Sequence, residues 1–266
     1  MIGPATAAPL VDVVAEPGTA ELDAVLNTVE TWPLAATALA VLLRASEERP
    51  VADGLVAESV TYSMLQGGPE FARWRASRPR RERTPVENAV RWAVTGDRLD
   101  VVLSRPEVHN AYDSATRDGL IEALTVAATD PGIAEVHLSG EGKSFCSGGD
   151  LDEFGTRPDP ATAHLVRLAR SGGRLIHTLK HRITAHLHGA CMGSGIELPA
   201  FAGRVLAAAD TRIALPEIQL GLIPGAGGTV SLPRRVGRHR TALLALSGTV
   251  IDAPTALGWG LVDELE

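Results

Sequence analysis

The chain has 266 residues, a net charge of -7 and 45% hydrophobic residues, so it is long and apolar enough to bury one large core or two smaller ones. The negative charge argues against general binding to nucleic acids or anionic membranes, and an aromatic content of 4% argues against a stacking surface for single-stranded nucleic acid. The two cysteines, Cys146 and Cys191, are too few for a disulfide framework and indicate a reducing, cytoplasmic setting.

The first part of the chain is predicted to be helical. After a lead-in over residues 1–17 that shows no periodicity, apolar residues recur at helical spacing. Helices with this much apolar surface must pack against the rest of the chain or against a partner subunit. We therefore expect residues 1–85 to form a helical N-terminal extension that ends in a solvated, arginine-rich linker. The predicted helices begin at Thr19, Pro33, Ala52 and Pro69, and the linker contains Arg78, Arg80, Arg81 and Arg83.

From residue 86 onward the pattern changes to strands that alternate with helices, which is typical of the α/β class. Alternating side chains over 90–94, a turn at Gly96 and an apolar run over 99–103 predict a β-hairpin. Further strands are predicted over 133–138, 183–187, 205–208 and 211–215, and helices over 114–128, 150–154, 162–179, 238–246 and 254–258.

Several familiar catalytic and nucleotide-binding motifs are incomplete. The stretch GEGKS has His137 where a P-loop needs its first glycine. Neither Ser147 nor Ser194 has the glycine two residues earlier that a nucleophile elbow requires. The histidines form no HExxH motif, and the pair His186 and His188 has no third ligand close in sequence, so we expect no metal cofactor.

Two glycine-rich turns each precede a predicted helix. The first is Ser147–Asp150 and the second is Gly193–Gly195. A helix that starts at such a turn presents unpaired backbone N–H groups and the positive end of its dipole. Two of these N–H groups directed at one oxygen would form an oxyanion hole.

Two glutamates accompany these turns. Glu197 lies in the first helical turn after Gly195, where it is also consistent with a carboxylate that complements the helix dipole. Glu217 lies among Leu215, Pro216 and other apolar residues, and an apolar surrounding suits a carboxyl group to proton transfer near neutral pH. By itself it is equally consistent with a carboxylate at a helix start. Together with the two turns, the pair indicates acid/base chemistry beside an oxyanion hole.

Four stretches follow one another in a recognisable order. They are Arg105-Pro106 with Asn110-Ala111, GEGKSFCSGGDLDEF from Gly140, HGACMGSGIELPAF from His188, and LPEIQLGLIPGAGGT from Leu215. In sequence and spacing they resemble the crotonase superfamily, also called the enoyl-CoA hydratase/isomerase superfamily. The resemblance covers roughly two thirds of the chain, from about Asn88 to its end.

The resemblance implies a spiral of ββα repeats over residues 86–266 that binds acyl-CoA thioesters and assembles as a homotrimer or hexamer. It implies that the backbone N–H groups of Gly149 and Ser194 form the oxyanion hole and that Glu197 and Glu217 hold a water molecule. No metal or redox cofactor is implied, because coenzyme A arrives as part of the substrate. The residues implied to flank the coenzyme A thioester or its phosphates are Arg105, His109, Ala111, Lys143, Asp150, Leu151, Asp152 and Gly193.

Both glutamate positions that the hydratases of this family use are filled, which favours addition of water across the α,β double bond of an enoyl-CoA. Isomerisation, thioester hydrolysis, oxygenation and a catalytically silent acyl-CoA-binding subunit stay open as alternatives. Family members usually carry a helical tail after the position of Val262, which covers the acyl pocket and takes part in the trimer. The chain has no such tail, so we expect its N-terminal helices to do this instead. Ser194 stands where glycine is common, and we expect its hydroxyl to influence substrate choice.

Overall fold

The computed structural model describes residues 1–4, 11–81 and 88–266. Residues 82–85 of the predicted linker, which include Arg83, lie outside the described residues. The chain forms two compact units: the first comprises Met1–Arg80, Gly155–Leu168 and Ala214–Val250, and the second comprises Arg81–Phe154, Ala169–Ile213 and Ile251–Glu266. The N-terminal helices thus share a unit with two later segments, so the units do not follow the predicted border at residue 85.

The first unit begins with a feature that the sequence did not indicate. The lead-in, which shows no periodicity in the sequence, contains a parallel pair of short strands, β1 (Ile2–Gly3) and β2 (Val13–Val14). Four helices follow as predicted, with Thr19 Oγ1 accepting a hydrogen bond from the Leu22 N–H at the first N-terminus. They are α1 (Ala20–Thr31), α2 (Pro33–Leu43), α3 (Val51–Gln66) and α4 (Pro69–Ser77).

The core of the first unit forms around a long later helix, α9 (Gly228–Ser247), which is kinked at Gly237. The helices α1, α2 and α3 all pack against α9, as does β2. Val25 and Leu39 from the N-terminal helices and Leu232 from α9 are fully buried. Burial of these apolar side chains stabilises the unit through the hydrophobic effect. The helix α6 (Pro160–Ala169) and a 3₁₀ helix over Glu217–Leu220 belong to the same unit, apart from the last residue of α6.

A six-stranded sheet forms the centre of the second unit. Its strands are ordered β11-β8-β6-β5-β4-β3, and only β3 is antiparallel to its neighbour. The predicted hairpin is confirmed, with Gly96 at a φ of 64° in its turn. The strands are β3 (Val90–Thr95), β4 (Arg98–Leu103), β5 (Glu135–Gly140), β6 (Ile183–Leu187), β8 (Arg204–Ala207) and β11 (Glu264–Leu265).

Among the described residues, the rest of the second unit contains a smaller sheet and four helices, and Ala214 at the end of one of the strands belongs to the first unit. A second sheet has the order β10-β9-β7 and comprises β7 (Ala190–Met192), β9 (Arg212–Ala214) and β10 (Ile251–Asp252). The mixture of strands and helices confirms the α/β class. The helices are α5 (Ser114–Thr129), α7 (Gly172–Thr178), α8 (Ser194–Glu197) and α10 (Ala253–Trp259).

Two predicted helices are wrong. The helix expected over 162–179 is divided into α6 and α7, because the Ser171 hydroxyl accepts a hydrogen bond from the Arg174 N–H and starts a new helix. The helix expected over 150–154 is a series of turns, because the Asp150 side chain accepts the Asp152 N–H.

Among the described helices, no single one is long and apolar enough to cross a membrane. Only α1 and α2 together reach that length and composition, and they are bent by 113°.

Candidate active site

The two glycine-rich turns lie side by side in the second unit. The Cys146 N–H donates to the Ala190 carbonyl over 3.1 Å, and the Met192 N–H donates to the Cys146 carbonyl over 3.0 Å. Cys146 thereby pairs with Cys191 as in a parallel ladder. A Cβ atom on Gly195 would collide with the Cys146 carbonyl, so this close approach requires glycine. The turn that follows Cys146 is thus fixed against the turn that follows Cys191.

The backbone around Gly149 directs one N–H group away from its neighbours. The Tyr112 N–H donates to the Gly148 carbonyl over 2.8 Å, and the Tyr112 carbonyl accepts the Asp150 N–H over 3.0 Å. In such a parallel pairing, Gly149 itself points its N–H to the opposite side. No residue in the described parts of the chain accepts a hydrogen bond from it. The Gly149 N–H is therefore available to a ligand.

A second N–H group is presented at the start of α8. Gly193 has a φ of 48°, and its carbonyl accepts the N–H groups of Ile196 and Glu197, both over 2.9 Å. Ser194 is the first residue of α8, so its N–H has no partner within the helix. Cys146 Sγ lies 3.8 Å from Ser194 Oγ, which links this residue to the first turn.

Glu197 is enclosed near both turns. Its residue is 2% exposed. Burial raises the pKa of the Cys146 thiol to about 11, and the negative charge of Glu197 adds to this effect. Burial likewise raises the pKa of Tyr112, with a smaller contribution from the same glutamate. Glu197, which follows the second turn, therefore lies close enough to Cys146 and Tyr112 beside the first turn to act on them electrostatically.

Glu217 belongs to the first unit, whereas Glu197 belongs to the second. It begins the 3₁₀ helix after Pro216, is 7% exposed, and its backbone carbonyl accepts the Leu222 N–H over 3.1 Å. Ile218 beside it is fully buried, in agreement with the apolar surrounding expected from the sequence. That the two glutamates hold one water molecule stays a prediction.

The chain after Glu217 rests on an N-terminal helix. Gly225 lies against the Tyr62 ring, since a Cβ on this glycine would be 2.5 Å from two ring atoms. The Glu58 carboxylate, which is buried, accepts the Gly227 N–H over 2.7 Å, the Thr229 N–H over 2.9 Å and the Thr229 hydroxyl over 2.7 Å. Glu58 thus caps the N-terminus of α9 from α3, a role that no local sequence signal indicated.

Several residues implied to flank the coenzyme A thioester surround the first turn. The His109 carbonyl accepts the Ser147 N–H over 2.9 Å, and His109 Nδ1 lies 3.1 Å from Ser144 Oγ. Ala111, which directly precedes Tyr112, is buried, and so is Asp150 at the end of the first turn. Leu151 is half-buried, the Asp152 side chain accepts the Arg81 N–H over 3.3 Å, and Gly193 starts the second turn.

The two basic residues implied to contact phosphates have different settings. Arg105 is 3% exposed and forms a buried ion pair with Asp113, so its charge already has a partner. Lys143 is exposed on the loop before the first turn. That either one contacts a phosphate stays a prediction, and the exposed lysine is the better placed of the two.

Asn110, which the sequence offered only as part of a family motif, has a structural role in this region. It is 1% exposed and has a φ of 53°. Its Oδ1 accepts the Arg105 N–H over 2.7 Å, and its Nδ2 donates to the carbonyls of Glu141 and Ser144 over 2.9 and 2.8 Å. Asn110 therefore connects two loops of the site. The sequence feature that could have indicated this role is the residue type, because asparagine adopts a left-handed φ more readily than most residues.

The histidine pair has other partners. His186 contacts His137 and Glu266, with nitrogen–nitrogen and nitrogen–oxygen distances of 2.9 Å, and His188 Nε2 lies 3.1 Å from the Gly142 carbonyl. Within the described residues, no group of three or more histidine, cysteine, aspartate or glutamate side chains is arranged to hold a metal ion.

The chain is similar to one described family and to several known proteins. The family described as enoyl-CoA hydratase/isomerase matches residues 99–266. The chain is 35% identical over 167 residues to a 2,3-dehydroadipyl-CoA hydratase from Escherichia coli (strain K12), a match that covers 63% of this chain and 65% of that protein. It is 37% identical over 156 residues to a probable enoyl-CoA hydratase from Bacillus subtilis (strain 168), covering 58% of this chain and 60% of that one. The chain thus spans less than two thirds of the length of these curated relatives.

A solved structure shares the fold. The enoyl-CoA hydratase from Thermoplasma volcanium GSS1 superimposes with a TM-score of 0.62 at 35% identity, covering 68% of this chain and 72% of that one.

Proposed function

Because this chain belongs to the enoyl-CoA hydratase/isomerase family, also called the crotonase superfamily, we propose that it adds water across the α,β double bond of an enoyl-CoA thioester. The observation that carries the proposal is the pair of adjacent turns, which present the N–H groups of Gly149 and Ser194 beside a buried Glu197. The hydratase relatives support it.

The two N–H groups would act on the thioester oxygen. As water adds to the β-carbon, negative charge moves onto this oxygen and an enolate forms. Donors that are fixed by the backbone stabilise this charge without having to reorient, and removing one such donor typically costs about 10²–10³ in rate. The hydrogen bonds around Tyr112 and the start of α8 fix the two donors here.

The two glutamates would transfer the protons. One carboxylate accepts a proton from the water molecule as its oxygen bonds to the β-carbon. The other, as a carboxylic acid, donates a proton to the α-carbon as the enolate collapses, so that one water is added in total. Glu197 and Glu217 are both buried, which suits carboxyl groups to proton transfer near neutral pH.

The coenzyme A part of the substrate would lie near the residues around the first turn, with exposed Lys143 as a phosphate contact. No further cofactor takes part in the proposed reaction. We propose a homotrimer or hexamer as the assembly, and the N-terminal helices as part of the acyl-pocket cover.

The test is hydration of crotonyl-CoA, which is measured as the loss of enoyl thioester absorbance. We expect Glu197→Gln and Glu217→Gln to lower kcat by several orders of magnitude, because each keeps the side-chain size but loses the titratable group. Glu122→Gln on the exposed face of α5 is the matched control and should leave kcat unchanged.

Other outcomes would point to the alternatives. Turnover of 3-enoyl-CoA or release of free coenzyme A, without hydration, would indicate isomerisation or thioester hydrolysis. Binding of acyl-CoA without any turnover, unaffected by either substitution, would indicate a catalytically silent subunit.

A further inference from the structure

The ring of Phe154 lies directly beside Gly149. A Cβ atom on Gly149 would be 2.7 Å from both Cε1 and Cζ of this ring, whereas carbon atoms in contact are about 3.5–4.0 Å apart. Both residues belong to the second unit and both are half-buried. The position next to the proposed oxyanion donor is therefore occupied by an aromatic side chain.

The segment that carries this ring is fixed at two points. The Glu153 carboxylate accepts the Ser114 N–H over 2.9 Å and the Ser114 hydroxyl over 2.6 Å, which ties it to the N-terminus of α5. The Glu153 N–H donates to the Asp150 carbonyl over 3.0 Å, which ties it to the glycine turn. Phe154 follows Glu153 directly, so its backbone is held close to the glycine turn on which its ring packs.

We propose that Phe154 is a specificity-determining residue that limits substitution at the α-carbon of the acyl group, so that the site takes acyl-CoA thioesters that are unbranched there. This inference rests on the proposed role of Gly149. A thioester oxygen that accepts the Gly149 N–H lies about 2.9 Å from its nitrogen, and the nitrogen is bonded to the Cα that the ring covers. The groups attached to the thioester carbon therefore lie next to the ring, where an added methyl needs about 4 Å of free space.

The first test measures binding without turnover. Butyryl-CoA and 2-methylbutyryl-CoA differ by one methyl at the α-carbon, and calorimetry gives the Kd of each. A misplaced methyl changes discrimination by about 10–200-fold, so we expect the wild type to prefer butyryl-CoA by about tenfold or more. Phe154→Ala should reduce the preference to about threefold or less, and Phe154→Leu should give an intermediate value.

The control ligand is 3-methylbutyryl-CoA, whose methyl lies one carbon further from the thioester. Its affinity relative to butyryl-CoA should change less than threefold in Phe154→Ala. If the preference against 2-methylbutyryl-CoA is unchanged in the variant, or if the 3-methyl ligand responds equally, the proposal is wrong.

A second test uses the contact itself. Gly149 has no left-handed φ, so its backbone tolerates alanine and only the ring opposes the added Cβ. Gly149→Ala should weaken butyryl-CoA binding at least tenfold, and Gly149→Ala combined with Phe154→Ala should recover most of that loss. A double variant no better than Gly149→Ala alone would overturn the proposal.

The proposed hydration and the role of Phe154 can be tested independently of each other. If the wild type hydrates crotonyl-CoA but the binding ratios do not move in Phe154→Ala, the inference fails and the proposed function stands. If no enoyl-CoA is hydrated, the proposed function fails, and the binding ratios still decide whether Phe154 controls the α-carbon.

Discussion

At the residue scale, Asp12 has an electrostatic role that predicts how stability depends on pH. Its carboxylate is 6% exposed and accepts two hydrogen bonds from Arg44, at 2.8 and 3.0 Å. The Arg44 hydrogen bonds lower the pKa of Asp12 well below its usual range, while an unfolded aspartate titrates near about 3.9. The stabilisation is thus fully present above that value and is lost as the pH falls below it towards the folded pKa.

Asp12→Asn should therefore lower the free energy of unfolding at pH 7, and the difference from the wild type should shrink between about pH 5 and pH 2. Urea unfolding at several pH values measures this difference. Asp97→Asn, at an exposed position in the turn between β3 and β4, is the control and should show little difference at any pH. A difference for Asp12→Asn that stays constant down to pH 2 would contradict the assignment.

Local residue roles were predictable where the signal is local. Thr19 caps α1, at the position where helical spacing predicted the first helix to begin, and Asp113 accepts the Thr116 N–H at the start of α5. The glycine turns and the apolar surrounding of Glu217 also followed from short motifs. The position of the Phe154 ring did not, because the segment before it had the composition of a helix but folds as turns.

At the element scale, Glu58 connects α3 to the N-terminus of α9, and this predicts a large cost for removing it. Its carboxylate accepts hydrogen bonds from two backbone N–H groups and one hydroxyl, all in a buried setting. Glu58→Ala would leave those donors unsatisfied, at about 1–3 kcal/mol for each buried group. We expect a loss of roughly 3 kcal/mol in the free energy of unfolding, measured with urea.

Glu58→Gln should cost less, because the amide retains one acceptor oxygen. Glu48→Gln, at an exposed position of the same unit, is the control and should change the free energy of unfolding by less than about 0.5 kcal/mol. Equal stability of Glu58→Ala and the wild type would show that the cap contributes nothing.

This contact also shows where prediction from sequence ends. Glu58 and Gly227 are separated by 169 positions, and a spacing of that size has no periodic or motif signature. The elements themselves were largely predictable, because hydrophobic periodicity and capping act within a few residues. How the N-terminal helices combine with α9 depends on tertiary packing, so the interleaved units could not be derived from the chain order.

At the scale of the whole molecule, the N-terminal helices are part of the core of the first unit. The helices α1, α2 and α3 cover α9, and α4 packs beside the 3₁₀ helix that begins with Glu217. The backbone of Glu70 and Phe71 approaches Gly221 so closely that a Cβ there would be 2.6 Å away. These helices therefore support the segment that carries one of the two proposed acid/base residues.

Deletion of residues 1–80 should therefore disable the protein and not merely shorten it. The face of α9 that packs against α1, α2 and α3, which includes the Val230 side chain beside Gly54, would become exposed. We expect the truncated chain to aggregate or to lack cooperative unfolding, and its soluble fraction to have lost crotonyl-CoA hydration. Size-exclusion chromatography, thermal unfolding and the hydration assay measure these effects.

Adding residues 1–80 back as a separate polypeptide provides the control for that deletion. Because the contacts between these helices and α9 are non-covalent, co-expression of the two pieces should restore part of the cooperative unfolding and of the activity. A truncated chain that stays soluble, keeps the oligomeric state of the full protein and retains full activity would contradict this role. The rest of the first unit, including α9, would then be stable without the N-terminal helices.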